Sequence, residues 1–136
     1  MSIRKKALDY LANREHSELE LSRKLSRFFS QNEIESIIDQ LRSENLVSDL
    51  RYGQMRLKVR MEAGYGPNFI RQELLMKGVP DEIINQIMNV TIDWGDVASR
   101  IIAKKNPLSR EAAEKHLFRK GFNWDIIKLA VKLIEE

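Results

Sequence analysis

At 136 residues and without cysteine, the chain can bury about two-thirds of the surface its unfolded form exposes, so a core needs neither disulfides nor thiolate-held metal. Its net charge of +3, on 23 basic and 20 acidic side chains, is well short of the basic density that announces nucleic-acid binding by itself. No apolar run approaches the roughly 18 residues of a membrane span, and the N-terminal MSIRKKALDYLANREHS turns charged before a signal-peptide core can form, so a soluble, unprocessed cytoplasmic chain is expected.

Apolar residues recur at helical spacing along almost the whole chain, and no segment alternates with a period of two. An amphipathic segment at 3–15 comes first. Ser17 with Glu20, spaced as a capping box, then opens a helix carrying Leu21, Leu25, Phe28 and Phe29. Ser30 with Glu33 opens the next, with Ile34, Ile37, Ile38 and Leu41 on one face. A further amphipathic segment at 52–63 leads into MEAGYGPNFIRQELLMKGVP, which holds three of the six glycines and two of the three prolines. Here Gly64 can end the preceding helix in the left-handed conformation, Gly66 can serve as N-cap, and Pro67 fits the first helical position. Gly78 ends the second helix of this stretch and Pro80 helps start the third. The segment at 94–105, a helix from Ser109, and a last helix with Ile127, Ala130, Val131 and Ile134 complete the chain.

Shifting the sequence against itself exposes a repeat. SELELSRKLSRFFSQNEIESIIDQL lies over GPNFIRQELLMKGVPDEIINQIMNV at an offset of 49, and that segment over SREAAEKHLFRKGFNWDIIKLAVKL at 43. The register aligns Ser17, Gly66 and Ser109 at helix starts, Leu25, Leu74 and Leu117 as buried leucines, and Ile34, Ile83 and Ile126 early in the following helix. The turn between the helices falls at Phe29, Gly78 and Gly121. With the amphipathic segment before each pair, the expectation is an all-α, elongated, curved array of three tandem three-helix repeats, residues 1–50, 51–92 and 93–136. Gly64, Gly66, Pro67, Gly78 and Gly121 are then structural residues at repeat boundaries.

Catalysis, a cofactor and a metal are not expected. The two histidines, His16 and His116, sit at a helix start and inside a helix, and no nucleophile–base set has a local signature. The glycines form no phosphate loop, since no strand precedes them and no Gly-Lys-Ser/Thr follows. Asp93 and Asp96 are the nearest pair for a metal-dependent hydrolase, and two carboxylates at a helix start more often serve as caps. Trp94 and Trp124 sit near helix starts, where a hydrophobic staple or a contact between repeats is commoner than base stacking. The basic residues are the better lead. Residues 1–50 hold eight basic and nine acidic side chains and residues 51–136 fifteen and eleven, an excess of −1 against +4. Phosphate contacts along nucleic acid and docking to an acidic protein groove both fit this bias, beside a merely solvated surface.

LDYLANREHSELELSRKL, then LVSDLRY followed by GYGPNFIRQELLMKGV, then HLFRKGFNWDIIKLAV, in that order, closely resemble the three blocks of the RecX family of RecA regulators, over about residues 7–131. REHS at 14–17, GYGP at 64–67 and KGF at 120–122 make the combination specific. The resemblance implies an all-helical protein of tandem three-helix repeats that binds in the groove of RecA–DNA filaments and suppresses ATP hydrolysis, strand exchange and the coprotease activity behind the SOS response. A non-enzymatic monomer is expected. Arg14, Arg60, Arg71, Lys77, Arg119 and Lys120 are the candidate partner-facing residues. Direct binding of single- or double-stranded DNA without RecA is the alternative. Residues 48–53 read Ser-Asp-Leu-Arg-Tyr-Gly where the family commonly has Asp-Asp-Glu-x-Tyr-Ala, and Phe29 replaces the glycine expected at the first turn. With almost nothing ahead of the first repeat, no function of an N-terminal extension is carried over.

Overall fold

The computed structural model describes residues 1–105 and 108–135, of the last three the backbone alone, so the Ile134 side chain lies outside the described residues. Among the described residues the fold is all helical, in the order α1 (Ile3–Asn13), α2 (Glu18–Leu25), α3 (Gln31–Ser43), α4 (Asp49–Glu62), α5 (Pro67–Met76), α6 (Asp81–Met88), α7 (Trp94–Lys104), α8 (Arg110–Arg119) and α9 (Trp124–Glu135). They form tandem three-helix groups, α1–α3, α4–α6 and α7–α9.

Local chemistry sets these ends. Ser17 and Ser30 each accept the N–H of the residue three on, Glu20 and Glu33, whose carboxylates bond back to the serine N–H, so two orphan donors are satisfied at each start. Asp93 and Ser109 cap α7 and α8 in the simpler way. Four helices stop at a left-handed residue, Asn45, Gly64, Gly78 or Gly121, with φ of 59°, 92°, 79° and 94°. In each the next residue's N–H reaches back five positions, as from Val79 to the Leu74 carbonyl at 3.0 Å and from Phe122 to that of Leu117 at 3.1 Å.

The first turn is built differently. With Phe29 where a left-handed glycine would stand, α2 ends at Leu25, and the N–H groups of Phe28 and Phe29 both turn onto the Leu25 carbonyl at 3.0 and 3.1 Å. The connection then takes residues 26–30, one more than 77–80 or 120–123. Because α2 is two residues shorter than α5 or α8, α3 still starts one residue earlier in the repeat register than α6 or α9. Ile34 is buried, but in the later helices the next residue, Ile84 or Ile127, is buried instead, and Ile83 and Ile126 are only half-buried.

By density of contacts the chain divides into two compact units, Met1–Met55 with Leu74–Ile87, and Arg56–Glu73 with Met88–Glu136, the boundaries falling inside α4 and α5 and before the last residue of α6. The first unit's core gathers Ala7, Leu21, Leu25, Ile34, Ile37, Ile38, Leu41 and Val47, bordered by Tyr10, Leu11 and Phe29. The second unit's core gathers Ala98, Ile102, Ala113, Leu117, Phe122, Ile127, Ala130 and Val131, with Trp94 edge-on to Phe122. Each buried Leu or Ile contributes about 1.5–3 kcal/mol of transfer free energy, so these clusters, not the short helices alone, hold the fold.

Candidate functional site

The basic residues singled out in the sequence gather mainly at two seams, where the start of one helix meets the lysine–glycine end of another. In the first unit the buried Ser17 hydroxyl, while accepting the Glu20 N–H, donates to the Lys77 carbonyl at 2.8 Å, across 60 positions of sequence. The Glu20 carboxylate receives the Ser17 N–H at 3.1 Å, both terminal nitrogens of Arg14 at 3.1 and 3.2 Å, and the Lys77 ammonium at 3.4 Å. Burial pushes this carboxyl up, but Arg14, the Ser17 N–H and Lys77 outweigh it, so its pKa sits below the ordinary glutamate value. Arg14 and Lys77 thus converge on one anion.

Beside them, the buried His16 has its tautomer fixed by its neighbours. Lys24, having only protons to give, donates to Nε2 at 2.7 Å, which leaves Nδ1–H to donate to the Arg14 carbonyl at 3.0 Å. Burial lowers the His16 pKa, the Arg14 carbonyl opposes this, and the charges of Arg14 and Lys24 lower it further. Burial also lowers that of Lys24. Gly78 closes the seam against Leu19, since a Cβ there would lie 2.7 Å from the Leu19 Cβ.

The second seam, in the other unit, uses backbone. The N–H groups of Gly66 and Asn68, orphaned at the start of α5, donate to the carbonyls of Lys120 and Gly121 at 2.7 and 2.9 Å. Neither glycine has room for a side chain: a Cβ on Gly66 would meet the Gly121 carbonyl oxygen at 2.6 Å, and one on Gly121 would meet the Phe69 nitrogen at 2.5 Å. Tyr65 and Phe69 stack at 4.2 Å, Lys120 lies over the Tyr65 ring at 4.4 Å, and Arg60 lies 5.1 and 5.3 Å from the two rings. Arg60 is also tied to Glu73 at 2.8 Å, and Arg56 holds the other oxygen of that carboxylate at 2.9 Å. Burial raises the Glu73 pKa, yet the two guanidiniums bring it below the usual value.

Arg71 and Arg119 belong to neither cluster: Arg71 is exposed on α5 and Arg119 is exposed at the end of α8. The carboxylate pair considered for metal chemistry is otherwise engaged, Asp93 accepting the Asp96 N–H at 3.0 Å and Asp96 pairing with Arg100 at 3.0 Å. No cluster of metal-ligating side chains is found among the described residues, and no helix among them is long and apolar enough to cross a membrane. In the divergent 48–53 stretch, Asp49 accepts the Glu18 N–H at 2.9 Å, Arg51 joins Glu15 at 2.9 Å, and Gly53 leaves space that Ile87 fills. Glu20, Glu73, Tyr65 and Phe69 were not singled out from sequence. Glu20 was visible only as the partner of Ser17, and Glu73 follows its arginines by 17 and 13 positions, spacings with no helical signature.

Comparison with known proteins places this geometry in context. Residues 4–41 match the RecX first three-helix domain and residues 48–88 the RecX second three-helix domain. A protein from Pseudomonas putida named regulatory protein RecX is 37% identical over 136 aligned positions, spanning 93% of this chain and 87% of that one. One of the same name from Mannheimia succiniciproducens is 39% identical over 104 positions, 74% of this chain and 68% of the other. The crystal structure of RecX from Lactobacillus salivarius superposes with a TM-score of 0.82 over 98% of this chain and 94% of that chain, at 23% identity, a likeness of fold.

Proposed function

The chain belongs to the RecX family, and from that premise we propose that it is a non-enzymatic, cytoplasmic regulator of the RecA recombinase. It binds in the groove of RecA–DNA filaments and inhibits ATP hydrolysis, strand exchange and SOS coprotease activity. Relatives that match over nearly its whole length carry the reading. The seams support a particular mechanism. In each, a lysine and an arginine are held at a helix end by a largely buried carboxylate or a stacked aromatic pair, which presents cationic groups with little side-chain freedom left to lose on binding. Arg14, Lys77, Arg60 and Lys120 are then partner-facing, with Arg71 and Arg119 exposed beyond them, and inhibition comes by occupancy, through several modest contacts made at once. Within the repeats 1–50, 51–92 and 93–136, Gly64, Gly66, Pro67, Gly78 and Gly121 hold the helix ends that carry those contacts. Binding as a monomer completes the reading.

Direct binding of nucleic acid is the second reading, favoured by the excess of +4 in residues 51–136 and by Lys58, Lys104 and Lys105, exposed cations without an ion pair among the described residues. One experiment separates the two: RecA ATP hydrolysis on single-stranded DNA is followed while this protein is titrated in, with DNA binding by the protein alone measured at several salt concentrations. Inhibition at concentrations that leave free DNA unbound is expected. No inhibition, with DNA binding that falls steeply with salt, would replace filament regulation by the second reading.

A further inference from the structure

Lys24 stands apart from the other lysines of the first unit in what holds its ammonium. Lys5 pairs with Asp9 and Lys77 with Glu20, each at 3.4 Å, the ordinary contact of an ammonium with a carboxylate. Lys24 instead donates to a nitrogen base, Nε2 of His16, at 2.7 Å. The carboxylate that helical spacing offers it, Glu20 four positions before, is already taken by the Ser17 N–H, by Arg14 and by Lys77, and Lys24 makes no ion pair among the described residues. The buried imidazole is set to receive a proton, since its Nδ1–H is spent on the Arg14 carbonyl at 3.0 Å and the Nε2 lone pair faces Lys24.

The groups around this ammonium come from several elements: the Tyr10 ring of α1 at 5.1 Å, with Lys6 at 5.3 Å from the same ring; Arg14 and His16 ahead of α2; Glu20 on α2; and Lys77 just past α5. Burial first, then the charge of Arg14, lower the Lys24 pKa from its ordinary 10.5; Glu20 opposes this and Lys77 adds to it. Lowering a nucleophile's pKa raises its free-base fraction faster than it blunts its attack, the relation that makes thiolates of depressed pKa reactive. Lys24 is only half-buried, so a small reagent still reaches it. An amine bonded to a base that can take its proton is the arrangement of an activated nucleophile.

We propose that Lys24 is a site of ε-amine acylation by activated acyl donors, acyl phosphates or acyl thioesters, with His16 as the first acceptor of its proton. The ammonium passes one proton to Nε2, and the free amine attacks the acyl carbonyl carbon. A C–N bond forms, the C–O or C–S bond breaks, and the leaving phosphate or thiolate departs with that electron pair and takes the second proton from nitrogen. His16 then gives its proton to water. The product amide keeps an N–H for Nε2 but carries no charge, so one cation is lost beside Arg14 and Lys77. The site is independent of the filament reading, since it is measured on the protein alone. In the test the full chain is incubated with acetyl phosphate and, separately, with acetyl-coenzyme A at about pH 8, where an ordinary lysine is still mostly protonated, and each lysine's acetylation rate is read by peptide mass spectrometry. Lys58, exposed on α4 without an ion pair among the described residues, is the internal reference. Lys24 reacts at least about fivefold faster than Lys58 with one or both donors, and the ratio falls to about one in the chain unfolded by urea, where His16 no longer holds the amine. Preference with a single donor names the donor class. His16→Gln, whose amide still accepts from Lys24 but takes up no proton, lowers the ratio at least about threefold with an unchanged far-UV circular dichroism spectrum. A Lys24 rate no greater than that of Lys58 with both donors, a preference that persists in urea, or a ratio unmoved by His16→Gln overturns the proposal.

Discussion

At Lys77–Gly78 and at Lys120–Gly121 a helix ends in the same way, with a lysine, a left-handed glycine and a carbonyl turned toward the start of another helix, yet what receives it differs. In the first unit the receiving start is Ser17, whose hydroxyl takes the Lys77 carbonyl while Glu20 takes the Lys77 ammonium. In the second it is Gly66–Pro67, and bare N–H groups do the work of the hydroxyl while Tyr65 does the work of the carboxylate. A serine at the N-cap brings its own acceptor for the orphan amides, so only the hydroxyl proton is left to reach across. A glycine there brings none, so its amides turn outward and the helices must approach until nothing larger than hydrogen fits between them. The first seam is therefore joined by side chains and charge, the second by backbone and close approach.

That difference ranks the substitutions. Gly66→Val drives a branched side chain into the Gly121 carbonyl and the Phe122 ring and should cost about 3 kcal/mol or more, the range of a severe overpacking. Gly121→Ala adds a Cβ at φ of 94° against the Phe69 backbone and should come close behind, whereas Gly78→Ala, at φ of 79°, meets only the Leu19 side chain and should cost about 1–2 kcal/mol. Urea denaturation of the three variants measures the order. Equal losses for Gly78→Ala and Gly121→Ala would mean that the backbone approach at the second seam has no energetic weight. Hydrogen exchange gives the same comparison without mutation, with Gly66 and Asn68 amides protected well beyond those of a frayed helix start.

How much of this was legible in the sequence follows the range of each interaction. Helix starts at Ser17 and Ser30 and the stops at Gly64, Gly78 and Gly121 depend on partners within a few residues, and the resemblance of the three blocks fixed the family. Pairings across longer stretches left no such mark. Lys77 reads as an isolated cation until Glu20 is beside it, and Arg56 with Arg60 read as an open basic face until Glu73 joins them. Phe29 shows the intermediate case: its departure from glycine was plain, but the compensation, an α2 two residues shorter, a turn one residue longer and burial that moves to Ile84 and Ile127 in the later groups, emerges only when the helices pack.

Charge at the first seam ranks below close approach at the second. Glu20→Gln keeps the N3 side chain able to cap but removes the anion that Arg14 and Lys77 share, and should cost about 1–2 kcal/mol, more than an isolated surface ion pair because the carboxylate is largely buried. High salt should shrink that difference by screening the exposed ends of Arg14 and Lys77, and should leave the cost of Gly66→Val unchanged. A Glu20→Gln effect as large in 1 M salt as in dilute buffer would mean that packing rather than charge joins the first seam.

The smallest effect is in the pH dependence, and it separates the units once more. His16 has its pKa lowered from the ordinary 6.5, by burial first. Between the lowered folded value and 6.5 the unfolded chain binds more protons than the folded one, so stability rises with pH there. The contribution is whole above 6.5 and is lost as pH falls through the folded value. Protonation also puts a proton on Nε2, which must then face the Lys24 ammonium with Arg14 nearby. His116, in the second unit, is lowered in the same direction, by burial and then by Lys105, Lys120 and Arg119, but it is less buried and holds no comparable hydrogen-bonded bridge among the described residues. His16→Gln can keep both bonds, its amide accepting from Lys24 and donating to the Arg14 carbonyl, without titrating. It should therefore change stability at neutral pH by less than about 1 kcal/mol while flattening the loss as pH falls below 6.5. His116→Gln should flatten it less. Thermal melts of both variants across that range decide the matter: the same slope in His16→Gln as in the parent chain would place the proton uptake outside the first seam.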